Sequence, residues 1–398
     1  MDDVWRWVDP RRWFANGSET LIPDDLGQRD ADDQSKQARE TARSKVPVVW
    51  MLGKTGSGKS SIVRALTLAT DVEIGTGYKP CTRTARRFDF PPEAPIIAFL
   101  DTRGLAEPDY IPDDDIAYAA SLTNVLLVVM QADDAVQNDI LNVLRKIRSS
   151  NAKWPIVVAQ TGLHKFYASG EGLPKSDPFG TPNEIDLPKS MQDALAYQRR
   201  LFEGLAGPAP LFVPIDFTSP EADIDPRDFG RDRLIDALGK SIPAVRELPD
   251  SSEADEIGAA AHALILGYAA AGAAAGAIPV PFADLPALGA VVTAMLYALG
   301  KRYQVPWDWA LRAKLVSALG GGLLLQQALG LGLREVLKVV PVVGMASGAA
   351  MGFTLTYAIG QAACVLLRAK RNGQPVEDED IRQAFKDALR AALNKTRP

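Results

Sequence analysis

Nothing in this sequence restricts the fold as much as Met51-Leu-Gly-Lys-Thr-Gly-Ser-Gly-Lys-Ser-Ser61. Gly53, Gly58, Lys59 and Ser60 fit the pattern G-x-x-x-x-G-K-[ST] without a mismatch. Before it, Val46 to Leu52 is apolar and β-branched and reads as a buried strand. After it, Ser60 to Leu68 has apolar residues at helical spacing. A strand that ends in glycines and hands over to a helix is an anion cradle. Glycines let backbone N–H groups close around phosphate oxygens, and the helix start adds positive potential. Gly53, Lys54, Thr55, Gly56, Ser57, Gly58, Lys59, Ser60 and Ser61 are therefore the candidate phosphate contacts. Lys59 is placed to reach the β- and γ-phosphates, and the Ser60 hydroxyl to ligate Mg²⁺.

Residues 46–247 alternate strand-like and helix-like stretches, the pattern of a mostly parallel α/β sheet covered on both faces. Further strands are expected at Thr84–Phe90 (an edge), Pro95–Leu100, Asn124–Met130, Pro155–Thr161 and Leu211–Phe217. Helices are expected at Asp133–Arg148, Met191–Leu205 and Gly230–Glu247, with a long loop over Lys165–Pro188. At 398 residues the chain needs two or three domains. A net charge of −5 argues against a nucleic-acid partner. The two cysteines, Cys81 and Cys364, form neither a disulfide framework nor a zinc site and suit a reducing cytosol. The opening Met-Asp-Asp lacks the pattern of a signal peptide, so a cytoplasmic protein is expected.

The Pro95–Leu100 stretch runs into Asp101-Thr-Arg-Gly104. A carboxylate at the C-terminal end of a strand beside a phosphate loop can hold the Mg²⁺ shell, and Gly104 allows close backbone approach to a γ-phosphate. With both motifs in place, residues 46–247 resemble a P-loop GTPase of the translation-factor-related class, Era-like in its head. The phosphate loop is similar to those of interferon-inducible immunity GTPases and septin-like proteins. The resemblance implies GTP and Mg²⁺ as ligands, and a molecular switch that hydrolyses GTP. It places switch I at Pro80-Cys-Thr82, with Thr82 as the Mg²⁺-binding threonine and Thr84 as the alternate, and switch II at Asp101–Gly104. The implied metal set is Ser60, Thr82 and Asp101. Leu105 stands where Ras-type enzymes carry a water-orienting glutamine, and Gly56 where potassium-using relatives carry an asparagine. Slow hydrolysis is therefore expected, helped by self-association across the nucleotide face, with Arg103 the nearest candidate finger. A scaffold that holds nucleotide with little hydrolysis and relaxed base choice is the other reading.

In such GTPases the strand corresponding to Pro155–Thr161 is followed by [NT]-K-x-D, whose aspartate accepts from guanine N1 and N2. Here the residues are Thr161-Gly-Leu-His164. Thr161 matches, Gly162 replaces the lysine, and His164 takes the aspartate position. A neutral imidazole offers no bidentate carboxylate, so a weakened guanine preference is expected, to be sharpened by His164→Asp. A loop histidine with no ligand is the alternative reading of His164. Thr218-Ser219 stands where family members place a loop that packs on the base.

The flanks are of other material. Residues 1–45 form a leader whose Trp5, Trp7, Trp13 and Phe14 suit either a flap on a neighbouring domain or a membrane interface. Asp30–Ser44 reads as an exposed helix, with poor order expected ahead of Lys45. Residues 248–255 read as a linker. Residues 256–398 read as a hydrophobic all-α domain with apolar stretches at Ile257–Ile278, Leu288–Leu299, Leu315–Leu333 and Val339–Leu367, then an amphipathic helix Asp378–Lys395. Their length permits spanning a bilayer. Lys301, Arg302, Arg312, Lys314 and Arg368–Arg371 would then face the cytosol, with Trp307 and Trp309 at the headgroup boundary. The Ala- and Gly-rich composition equally suits a buried soluble bundle. Ile278-Pro-Val-Pro-Phe-Ala-Asp-Leu-Pro286 resembles part of an uncharacterised hydrophobic domain found behind GTPase heads in bacteria. That resemblance implies a bacterial protein, placed in the cytoplasm or at the inner membrane. Guanine nucleotide, membrane lipid and a second copy of the chain are the partners expected.

Overall fold

The computed structural model describes residues 25–68, 79–80, 85–102, 119, 122–168, 172–174, 178–179, 187–218, 226–249, 256–277, 284–319 and 344–395. The chain divides into two compact units, residues 46–92 with 96–256, and residues 1–45, 93–95 and 257–398.

The first unit is organised on β1 (Val48–Leu52), whose five residues are all buried. Its neighbours are β4 (Ile97–Thr102) on one side and β5 (Thr123–Gln131) on the other, both parallel to it. With β2 (Lys79–Pro80), β3 (Ala85–Phe90), β6 (Ile156–Thr161) and β7 (Leu211–Pro214), they form a seven-stranded sheet in the order β2-β3-β4-β1-β5-β6-β7. β3 alone runs against the rest of this sheet, antiparallel to both β2 and β4. Strands buried on both faces read as continuous apolar runs, which is why Val48–Leu52 and Ile156–Ala159 lack alternation. The strand order reverses at β1, so the C-terminal ends of β1, β4 and β5 open the crevice where ligands of such sheets bind. The helices are α1 (Asp25–Ser44), which belongs to the second unit, then α2 (Lys59–Thr67), α3 (Asn138–Ser150), α4 (Lys189–Arg200) and α5 (Arg231–Gly239). A mostly parallel α/β sheet followed by a helical region is thus the observed architecture.

Several boundaries differ from the sequence reading, each for a local reason. The strand at 85–90 is not the sheet edge, because β2 pairs outside it. Helix α3 starts at Asn138 rather than Asp133: the Asp134 carboxylate accepts the Val136 N–H at 2.9 Å and holds 134–136 in a turn. Val136, held in that turn, is 63% exposed. The strand expected over 211–217 breaks after Pro214; Asp216–Phe217 (β8) pairs with Asp228–Phe229 (β9) in a separate two-stranded sheet. Helix α4 ends at Arg200, and the closing helix stops at Gly239 before a 3-10 turn over Pro243–Glu247.

The second unit holds α1 with α6 (Glu256–Gly276), α7 (Asp284–Tyr303), α8 (Trp309–Ala318), α9 (Gly344–Arg371) and α10 (Asp378–Lys395). The helix expected over Asp30–Ser44 starts earlier, at Asp25, where poor order was expected, and it is not wholly exposed: Ala38 is buried against Ala275 and Ala287. The core runs through Ile265, Val291, Met295, Leu299, Leu367 and Ile381, all essentially closed to solvent. His262, the one histidine of its stretch, is accounted for by the Gln361 amide at 3.0 Å and an edge-on contact with Tyr357. Trp307 is buried over Gly300 and not at a surface boundary, whereas Trp309 is 64% exposed. The third apolar stretch enters the described residues only as far as Leu319, so its remainder, with Gln326 and Gln327, lies outside them. Among the described residues, two helical segments are long and apolar enough to cross a membrane, Ile257–Gly276 and Gly348–Arg371, and 61% and 67% of an apolar 18-residue window in each are buried inside the protein.

Helices α6 and α9 meet backbone to backbone through Gly272 and Gly276 on one and Gly348 and Gly352 on the other. A Cβ on Gly272 would lie 2.3 Å from the Thr356 hydroxyl and 2.7 Å from the Gly352 carbonyl. In an isolated helix Gly→Ala gains up to about 1 kcal/mol. Here overpacking, at about 1–3 kcal/mol, decides the sign. Gly272→Ala is expected to lower the melting temperature of the full chain by several degrees in a thermal unfolding scan. A rise would mean that α6 and α9 do not approach this closely.

Candidate functional site

The site begins where β1 ends. Gly53 is squeezed against β5 and its own loop: a Cβ there would fall 2.6 Å from both the Val129 carbonyl and the Ser57 hydroxyl. Gly56 and Gly58 take positive φ of 78° and 103°, which side chains on Cβ resist. Gly58 then begins α2, which has no side-chain cap and no acidic residue in its first turn. The first N–H groups of that helix are left for a ligand or water, at its positive end.

Lys59 folds back over the loop. Its ammonium donates to the Gly53 carbonyl at 2.7 Å and the Lys54 carbonyl at 3.0 Å, and lies 3.9 Å from Asp101 Oδ1. The structure therefore brings Lys59, Asp101 and the loop glycines together, with Ser60 exposed beside them on the first turn of α2. Lys54 and Thr55 form the outer rim with Gly56. Lys54 donates to Asp134 at 2.7 Å and to the Val136 carbonyl. Ser57 is buried, while Ser61 is half-buried in α2. Thr82, Thr84, Arg103, Gly104 and Leu105 lie outside the described residues.

Thr161 ties the far side of the crevice to the loop: its hydroxyl donates to the Ser57 carbonyl at 2.8 Å. After it, Gly162 turns at φ 73° into a 3-10 turn, Leu163–Phe166. His164 and Thr218 follow the ends of β6 and β8; the Thr218 carbonyl accepts from Arg64 of α2 at 3.1 Å.

Three groups that the sequence reading missed stand here. Asp216, 2% exposed, accepts both the His164 backbone N–H at 2.6 Å and the His164 ring Nδ1 at 2.7 Å. Lys165 lays its stem over Gly162, with Cδ and Cε 3.6 Å from where a Cβ would be, and ties its ammonium to Asp133 at 3.0 Å and Gln131 at 3.2 Å. Gln131 also donates to the Gly56 carbonyl at 2.9 Å. Asp216 closes the strand-like run Leu211–Phe217, the one sequence signal that pointed to it. His164→Asp would accordingly set a second carboxylate against Asp216, a cost invisible in the sequence.

Oxygen donors on Ser60 and Asp101 are of the hard type that suits Mg²⁺, which takes few protein ligands and keeps phosphates and waters. Among the described residues no group of three or more His, Cys, Asp or Glu that could hold a metal stands together.

Residues 48–161 match the model of the family described as 50S ribosome-binding GTPase, so this segment is a GTP-binding P-loop GTPase domain. The match runs from β1 to Thr161 and spans under a third of the chain. No curated protein matches. Among solved structures, an ADP-ribosylation factor-like GTP-binding protein (a small COPII coat GTPase) from Encephalitozoon cuniculi in complex with GDP is 12% identical. It covers 56% of this chain and 91% of its own, with a TM-score of 0.34. A probable GTP-binding protein engB is 15% identical, covers 50% and 99%, and has a TM-score of 0.29.

Two outcomes are expected. Thr161→Val keeps the shape and loses the bond to Ser57, which should cost about 1–2 kcal/mol in denaturant unfolding; no change would mean the hydroxyl does not hold the loop. For Asp134, burial pushes the carboxyl up, but bonds from Lys54 and the Val136 N–H outweigh it and leave it below its ordinary value. Its stabilisation is present above the unfolded carboxyl's range, near 3.8, and fades as pH falls through the folded value. Asp134→Asn should therefore flatten the acid side of the stability–pH curve, by under about 1 kcal/mol for so exposed a pair. An unchanged curve would contradict the assignment.

Proposed function

We propose that residues 46–247 bind a guanine nucleoside triphosphate with Mg²⁺ and work as a slowly hydrolysing switch, whose state is passed to the helical residues 256–398. The observation that carries this reading is the phosphate loop itself: left-handed glycines, an uncapped helix start, and Lys59 held on loop carbonyls beside Asp101. Backbone carbonyls are weak partners for an ammonium compared with phosphate oxygens, so Lys59 is expected to exchange them for the β- and γ-phosphates. Ser60 and Asp101, with Thr82, would hold Mg²⁺, which neutralises charge on the phosphates when bound. Gly53–Ser61 would line the phosphates, with Thr161, His164 and Thr218 on the base side. Leu105 in the glutamine position supports slow turnover, and self-association with Arg103 in trans would raise it. Phosphate release per molecule should then climb with protein concentration; a flat rate favours a nucleotide-dependent scaffold.

Lys59→Ala removes a charge-assisted phosphate contact worth about 1.5–3 kcal/mol, so triphosphate affinity should fall about 10- to 150-fold by calorimetry with thermal unfolding little changed. Unaltered affinity would sink the phosphate-loop assignment.

For the helical unit, we propose contact with a membrane from the cytoplasmic side. Exposed Trp309 and Tyr297, with Arg312 stacked 5.3 Å over the Tyr297 ring, offer the aromatic and basic groups that favour headgroups. The full chain is expected to float with vesicles containing anionic phospholipid, and Trp309→Ser to weaken this. A chain that stays at the bottom of the gradient is a soluble switch with a buried helical bundle.

A further inference from the structure

The base side of the crevice lacks the lysine and aspartate of [NT]-K-x-D, yet both chemistries are present at the same place from other positions. Asp216 is buried, and a carboxylate only accepts. Its contact with His164 Nδ1 at 2.7 Å therefore puts the ring proton on Nδ1, and in the neutral ring leaves Nε2 with a lone pair. The second bond from Asp216, to the His164 backbone N–H at 2.6 Å, fixes the turn that carries the ring. His164 keeps 35% of its side chain exposed while Asp216 is closed off, so the ring's free edge is the one available to a ligand. Lys165, its ammonium anchored on Asp133 and Gln131, lays methylenes over Gly162, where the missing lysine stem would have run. Thr161, which precedes this turn, is bonded to the phosphate loop, so a nucleotide seated on the loop brings its base to this wall.

We propose that His164, oriented by Asp216, reads guanine with a single acceptor. Nε2 takes the hydrogen bond of guanine N1–H, and the Lys165 stem covers one face of the base. Adenine presents a lone pair at N1 and meets lone pair with lone pair. One acceptor cannot also hold the 2-amino group, which sets this wall apart from one with a bidentate carboxylate. The proposal rests on the phosphate-loop reading, and Asp216 acts here as a positioning residue.

The test compares GTP, ITP and ATP binding to the full chain by calorimetry, for the wild type and for His164→Ala, Asp216→Asn and His164→Asp. ITP keeps N1–H and lacks the 2-amino group. Wild type should bind GTP and ITP within about threefold of each other, and both at least about tenfold more tightly than ATP, the discrimination one hydrogen bond supplies. His164→Ala and Asp216→Asn should bring GTP and ATP within about threefold while ATP affinity holds. His164→Asp should not raise the ratio, since it faces Asp216. If Asp216→Asn fails to fold, His164→Ala alone decides, as its ring is partly exposed. Wild type binding no triphosphate overturns the underlying reading. Triphosphate binding in which ITP falls far below GTP, or in which His164→Ala keeps the GTP preference, overturns this proposal and leaves the phosphate loop standing.

Discussion

Everything in the nucleotide unit depends on one close approach, that of Gly53 to β5. The Val129 carbonyl and the Ser57 hydroxyl both stand 2.6 Å from where a Cβ would project, so the chain can leave β1 only through a glycine. Once it does, the left-handed turns at Gly56 and Gly58 aim α2 back across the sheet with its N-terminus open. Thr161 and Gln131 then hold the loop by its own carbonyls, at Ser57 and Gly56. Those two bonds come from the ends of β6 and β5, which makes the loop's shape a property of the sheet. A preformed cradle of this kind spends little binding energy on ordering itself.

The same crevice separates two kinds of recognition. On the phosphate side, backbone geometry and one ammonium would do the binding, and any triphosphate would satisfy them. On the base side, specificity needs groups whose bonds exist for one base and fail for another. In the proposed arrangement the turn after Thr161 would supply them through His164, held by Asp216, with the Lys165 stem beside it.

The phosphate loop was legible in the sequence because its determinants are contiguous: strand, glycines, lysine and helix follow in one run. The alternation of elements and the end of β4 at Asp101–Thr102 were legible for the same reason. The base side was not, because Asp216 lies 52 residues beyond His164 and Lys165 reaches Gly162 by folding back. The start of α3 was misplaced because helical periodicity cannot see the Asp134 turn that delays it. Residues 25–44 looked unattached because their sequence is polar almost throughout; among their described side chains Ala38 is buried against Ala275 and Ala287, and Ala42 packs on the helical core. Trp307 and Trp309 looked alike in sequence, yet Trp307 packs into the helical core over the small Gly300 while Trp309 is exposed.

The most direct measurement of the central claim is the identity and amount of nucleotide released when the purified full-length chain is denatured, resolved by anion-exchange chromatography. The account predicts GDP or GTP at close to one molecule per chain, or stoichiometric uptake when guanine nucleotide and Mg²⁺ are supplied to a chain that has lost it. Adenine nucleotide in that peak, or a chain that neither carries nor takes up guanine nucleotide, would contradict it.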